Sequence, residues 1–267
     1  MKIGNIVAVL AVLCCLSTIV WSMRTRVERS RRQEVVVATA TKNDQMSRYE
    51  VPHLNNVTVR GFEEVVLDPA FSGIEIMGDS AVRNQCTVWR NESQVRIFLK
   101  NDTTDRPMLL KNVVVRVGLM PQNGSKSDQL DVHLGNCAKV TCTGSLNYHR
   151  IHLGTDNVQA SQFAVQTQKF SLFVNDVPYN EFYQFRDSTR NQMVVSGRAS
   201  YVKIRDVNNV SLDLRYLAMG DCYGESAHFS DVFIGAAELV NLSRGEGTNI
   251  KLEQQPKYKK IVEEGGF

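Results

Sequence analysis

His149 and His152 sit three apart in Tyr148-His149-Arg150-Ile151-His152, the tightest imidazole pair in the chain. A metal-binding pair on one strand uses positions i and i+2, because successive side chains point to opposite faces. A spacing of three sends the two rings apart, so the pair reads as solvent-facing strand residues. His53, His133 and His228 have no acid or nucleophile at a recognisable spacing. Asp206, Asp213, Arg205 and Arg215 resemble in type the sets that β-helical polysaccharide lyases and hydrolases use. That chemistry needs two carboxylates converging on one sugar, one of them with a shifted pKa. Interspersed charge on a solvated face gives the same letters, and that reading is adopted. Cys137 and Cys142 form a C-x4-C without a second such pair, which does not make a zinc site. With Cys86 and Cys222 they read as small buried hydrophobes, one disulfide being the alternative in an oxidising compartment. Gly-x-Ser-x-Gly, His-Glu-x-x-His, phosphate-loop and dinucleotide fingerprints do not occur. No catalytic, cofactor-binding or metal residue is assigned, and no cofactor is expected.

Two further groups could recognise rather than react. Tyr179, Phe182, Tyr183 and Phe185 crowd the stretch 177–192, which has the texture of an insert. They read as a hydrophobic cluster pinning that insert, with a sugar-stacking surface as the alternative. Asn-x-Ser/Thr sequons stand at Asn56, Asn91, Asn101, Asn123, Asn209 and Asn241. Such residues cap β corners as readily as they accept glycans, and the corner reading is preferred.

The elements that must position these residues follow from composition and pattern. At 267 residues, 43% hydrophobic and 22% charged, the chain is too apolar for disorder. Ile3–Trp21 is the single long apolar run, with Asn5, Ser17 and Thr18 its polar members. As a helix it would span roughly 28 Å, about one hydrocarbon core, which excludes a multi-span protein. It reads as a transmembrane signal anchor rather than a cleaved signal peptide, because Arg24 and Arg26 follow at once. Five arginines after the span, taken alone, would keep the body in the cytoplasm. Residues 1–33 hold six basic residues and one acid, leaving 25 basic and 27 acidic residues over 34–267. The basic character therefore belongs to the stalk, 22–50, and nucleic-acid binding is not expected.

From residue 51 the pattern changes to period two. Val57 and Val59, Val65–Leu67, Ile74–Ile76, Val95-Ile97-Leu99 and Val113–Val117 mark half-buried strands. More follow at 130–134, 139–142, 150–153, 170–174, 193–195, 201–204, 211–214, 232–234, 239–242 and 249–252. Many are 8 to 11 residues apart, with Gly, Asn, Asp or Ser at the corners. A sandwich would need tight hairpin turns between neighbours. The irregular, Asn-rich corners favour short strands stacked layer on layer, a parallel β-helix or a related coil.

Thr58-Val59-Arg60-Gly61-Phe62-Glu63-Glu64-Val65 resembles the R-x-V-x-x-F-x-x-I opening of the head GIN domain of putative auto-transporter adhesins, common in Bacteroidetes-type bacteria. The V-x-I and L-x-L strands through 193–252 are similar to its repeats. Asn249–Leu252, Gln255–Tyr258 and Gly265-Gly266-Phe267 resemble its close. The chain departs from the family in its corners, where only Ser72-Gly73 and Ser196-Gly197 keep the Ser-Gly repeat, and in the stretch 177–192. The resemblance covers residues 54–267. It implies an all-β, right-handed β-helical body, placed at 51–267 behind the one transmembrane helix read from the apolar run, and no established catalytic residues. The function expected is a membrane-anchored, non-enzymatic binding or structural protein of the cell envelope, adhesin-like, with its body extracytoplasmic. Its expected partners are the membrane through 3–21 and a glycan, another envelope protein or a second copy. A polysaccharide-active enzyme on the same fold and a cytoplasm-facing scaffold are the alternatives.

Overall fold

The computed structural model describes residues 46–51, 54–91, 93–100, 109–120, 129–175 and 191–263. All of them belong to one unit, Val37–Phe267. The apolar run 3–21 and the stalk up to residue 45 lie outside them. No helix among the described residues is long and apolar enough to cross a membrane.

The body is all-β. Inward Val, Ile and Leu alternate with outward residues, polar but for Phe98, in β2 (Asn56–Arg60), β6 (Gln94–Leu99) and β12 (Val210–Leu214). That alternation buries one face of each strand and leaves the other to solvent. Three strands are longer than the sequence suggests: β8 (Gln129–Cys142), β10 (Arg150–Asn175) and β11 (Asn191–Asn208). Segments read as separate, such as 130–134 and 139–142 or 193–195 and 201–204, are joined through bends. The bends fall at Asn136, Asn157 and Gly197, with φ of 49°, 54° and 109°. Asparagine tolerates this left-handed region and glycine enters it freely. At Gly197 a Cβ would lie 2.1 Å from the Val165 carbonyl oxygen, so a side chain has no room. Of the stretch 177–192 read as an insert, 177–190 lie outside the described residues, and Asn191 and Gln192 open β11.

Parallel ladders carry the layers. Phe170 on β10 pairs with Val202 on β11, then Cys222 on β13 (Leu217–His228) and Val240 on β15 (Leu239–Arg244). Lys259 on β17 (Tyr258–Glu263) ends that row. A second row runs Met193, Leu212, Val232 and Ile250 through β11, β12, β14 (Asp231–Ile234) and β16 (Asn249–Leu252). Like therefore stacks on like, apolar residues inward, and each fully buried side chain contributes roughly 1.5–3 kcal/mol. β13 and β17 were not evident in the sequence. β13 carries Gly220 and Gly224 among few large apolar residues, and β17 is almost wholly exposed.

Order in space departs from order in sequence near the N-terminal end. Val57 faces Val95 on one side and Val132 on the other. Val65 on β3 (Phe62–Asp68) likewise faces Val115 on β7 (Leu110–Gly118) and Val140. Thus β2 and β3 lie between β6/β7 and β8. Antiparallel pairs finish this end: β1 (Met46–Tyr49) with β4 (Ile74–Met77), β4 with β7, and β5 (Cys86–Asn91) with β6. A single helical turn, α1 (Ser80–Arg83), joins β4 to β5. Here Arg116 donates to Asp68 at 2.5 Å and to Glu75 at 3.1 Å, with its guanidinium 4.5 Å from the centre of the Phe71 ring.

Candidate functional site

The outward residues of β2, β6, β8, β10 and β11 converge on a depression of about 560 Å³. Register brings them there. Asn56 pairs with Gln94 on one side and Asp131 on the other, and Asp131 pairs with His152. One step along the strands, Thr58 pairs with His133 and His133 with Gly154. β10 then turns back beside its own beginning, since the Gln168 and Lys169 amides donate to the His149 carbonyl. The return places Ser171 and Phe173 in the depression, and Phe173 pairs with Arg205 of β11. β9 (Leu146–Asn147) seats the turn by pairing with Val165 and Gln166.

The surface so formed sets polar side chains around one exposed ring, with apolar groups making up much of its floor. Phe173 is 38% exposed, on a strand whose neighbours Leu172 and Val174 are buried. The amides of Gln94 and Asn56 meet at 3.3 Å. Gln129 donates to both Asp131 oxygens at 3.1 Å. The His133 ring takes the space that a side chain at Gly154 would need, since a Cβ there would lie 2.7 Å from Nδ1. Burial lowers the His133 pKa; the Asp156 charge opposes this and Arg60 adds to it. The ring is therefore neutral near pH 7 and can donate from one nitrogen while accepting at the other. Arg205 is exposed and has no hydrogen-bond or ion-pair partner among the described residues.

The residues singled out by sequence fall in different places. His152 borders the depression, while His149 takes part through its carbonyl, which also accepts from the Thr167 hydroxyl at 3.0 Å. His53 and the His228 side chain lie outside the described residues, as do Tyr179, Phe182, Tyr183 and Phe185. No cluster of three metal-ligating side chains occurs among the described residues. Asp213 is clamped by Arg215 at 2.7 Å, and Arg215 reaches Glu253 at 3.6 Å. The Arg215 hydrogen bond outweighs burial and holds the Asp213 carboxyl below its ordinary range, so it stays ionised rather than serving as an acid. Asp206 occupies a bend with φ of 44°. The four body cysteines are free. Burial pushes the thiols of Cys86 and Cys137 to about 11 and that of Cys222 to about 12.

No family model matches the chain, and no curated protein matches it. Solved structures do. A putative adhesin from Bacteroides fragilis superposes with a TM-score of 0.61 at 13% identity, over 85% of this chain and 95% of that one. A putative lipid binding protein from Parabacteroides distasonis superposes with a TM-score of 0.58 at 9% identity, over 85% and 96%. The fold is theirs. The likeness is one of architecture, shared with a structure described as a putative adhesin from a bacterium of the type the resemblance names.

Proposed function

We propose that this chain is a non-enzymatic binding protein of the cell envelope, anchored by residues 3–21, whose ligand is a glycan seated in the outer-face depression. The body, 51–267, is on this reading a right-handed parallel β-helix of the GIN type held outside the cytoplasm. The stacked parallel rows and the step of 18 to 20 residues between paired positions, as from Val202 to Cys222 to Val240, support the helical reading.

The observation that carries the glycan reading is Phe173. An exposed aromatic ring on a rigid sheet, ringed by Asn, Gln, Ser, Thr and His side chains, matches the two faces of a sugar. The ring covers the apolar C–H face, and the planar amides and hydroxyls meet the hydroxyl edge. A lipid would instead call for an apolar cavity, whereas the inward columns here are packed with side chains. Asp131 is the one carboxylate among the described residues lining the depression. Glycoside hydrolysis ordinarily needs two, which favours capture over cleavage.

The test is retention of cell-envelope polysaccharides by the full-length chain in detergent, compared with Phe173→Ala. Losing one stacked ring should weaken binding about tenfold. Retention unaffected by Phe173→Ala, or no polysaccharide retained by the wild type, would overturn the reading.

A further inference from the structure

We propose that the glycan held in this depression is acidic, with a sugar carboxylate bound by Arg205 at one end and Asp131 fixing the direction of the chain at the other. The inference rests on the glycan reading above and adds its chemical class.

Three observations carry it. First, Arg205 stands next to Phe173 in strand register, so a ring stacked on Phe173 brings its substituents within reach of the guanidinium. Arginine recognises carboxylates through two parallel N–H donors, and among the described residues the exposed Arg205 guanidinium has no hydrogen-bond or ion-pair partner. Phe173 supplies the platform and Arg205 the charge, one layer apart. Second, the other charged liner among the described residues, Asp131, lies three strand layers away, roughly 14 Å at about 4.8 Å per layer. Gln129 donates to both of its oxygens, which keeps it directed and hydrogen-bonded. An anionic group is therefore repelled at the β8 end and attracted at the β11 end, and a chain of two or three sugars spans the distance. Third, between these charges stand neutral groups that suit hydroxyls. His133 is uncharged near neutral pH, and Thr58 and Ser171 offer hydroxyl groups on either side of it.

The arrangement specifies a ligand with spaced, not continuous, charge. A polyanion with charges at every step would place one against Asp131. A polymer bearing uronic acids among neutral sugars satisfies both ends.

The probes are polygalacturonate, alginate and hyaluronate, each compared with its carboxyl-reduced neutral form, against the full-length chain in detergent by titration calorimetry. At least one acidic polymer should bind about tenfold tighter than its neutral counterpart, hyaluronate with its alternating acid above all. Arg205→Gln should abolish that preference, whereas Phe173→Ala should weaken both forms. Arg205 is exposed, so circular dichroism of the variant should match the wild type. Equal binding of acidic and neutral forms, or a preference that survives Arg205→Gln, overturns the acidic inference and leaves the glycan reading intact. Failure to hold any of the six polymers overturns both.

Discussion

Replacing Arg116 with methionine isolates the charge network at the antiparallel end of the body. The methionine keeps most of the aliphatic stem and removes the guanidinium, which lies over the Phe71 ring. Two nearly buried carboxylates then lose their main partner: Asp68, 5% exposed, and Glu75, 7% exposed. Arg48 remains, but only at 4.0 Å from Glu75. Removing one member of a buried pair typically costs about 3–5 kcal/mol. The Arg116 side chain is 36% exposed, so water screens one side of the network and the expectation falls to about 2–3 kcal/mol. The pH dependence separates lost charge from lost packing. In the wild type, burial alone would raise the Asp68 pKa, but hydrogen bonds from Arg116, the Ala70 amide and Thr143 outweigh it and hold the carboxyl below its ordinary value. Its contribution is therefore complete above the unfolded pKa of about 3.9 and is lost as pH falls through the lower folded value. In the variant, Asp68 loses the Arg116 hydrogen bond while its burial remains, so its folded pKa should lie above the unfolded one. That penalty, present at pH 7, is relieved as Asp68 protonates. The stability gap between the two proteins should accordingly narrow from about pH 7 to about pH 4. Urea denaturation of the full-length chain in detergent, followed by circular dichroism, measures both points. A gap under about 0.5 kcal/mol at neutral pH, or one equal at both pH values, would refute the electrostatic account.

Thr155 faces inward, is fully buried and pairs in register with Leu134, and its hydroxyl has no hydrogen-bond partner among the described residues. Thr155→Val keeps the shape and removes that unsatisfied group, so stability should rise by about 1 kcal/mol in the same denaturation assay; a loss would show that the hydroxyl is bonded. The thiols of Cys137 and Cys222 should react with maleimides only at the rate of unfolding, because both are buried and burial raises them to about 11 and about 12, whereas half-buried Cys86 and Cys142 are replaced by serine for the next test. Tyr258→Cys, at a position 61% exposed, should then label at once with an impermeant reagent in intact or outer-membrane-permeabilised cells. Labelling only after inner-membrane lysis would place the body in the cytoplasm, as the arginines after the span taken alone would have it.

How much of this was legible in the sequence depended on whether the signal is local. Alternation at Val57-Val59, Val95-Ile97-Leu99 and Val210–Leu214 marks strands because each residue reports its own face. The bends at Asn136 and Gly197 read as turns, since positive φ serves equally to end a strand or to bend one. The placement of β2 and β3 between β6/β7 and β8 left no trace in the order of residues, because pairing is decided by columns such as Val95, Val57 and Val132. β17, Tyr258–Glu263, lay hidden because an edge strand rich in lysine buries little and so has little need of alternation.

The depression was hidden for a related reason. Asp131 and His152 are 21 residues apart in sequence and direct neighbours in register, while Phe173 and Arg205 are 32 apart and equally close. Nothing at either end of such an interval signals the other. What the sequence does contain is Gly154, a glycine within an alternating strand between buried Leu153 and Thr155. Its missing side chain is the space into which His133 leans. In a stacked sheet, a gap in one layer is filled by the side chain of the layer beside it, and the surface there ceases to be a flat ladder. An outward glycine flanked by buried residues, followed about one layer spacing later by an exposed aromatic such as Phe173, is therefore the pattern by which a stacked sheet can turn a uniform face into a binding surface.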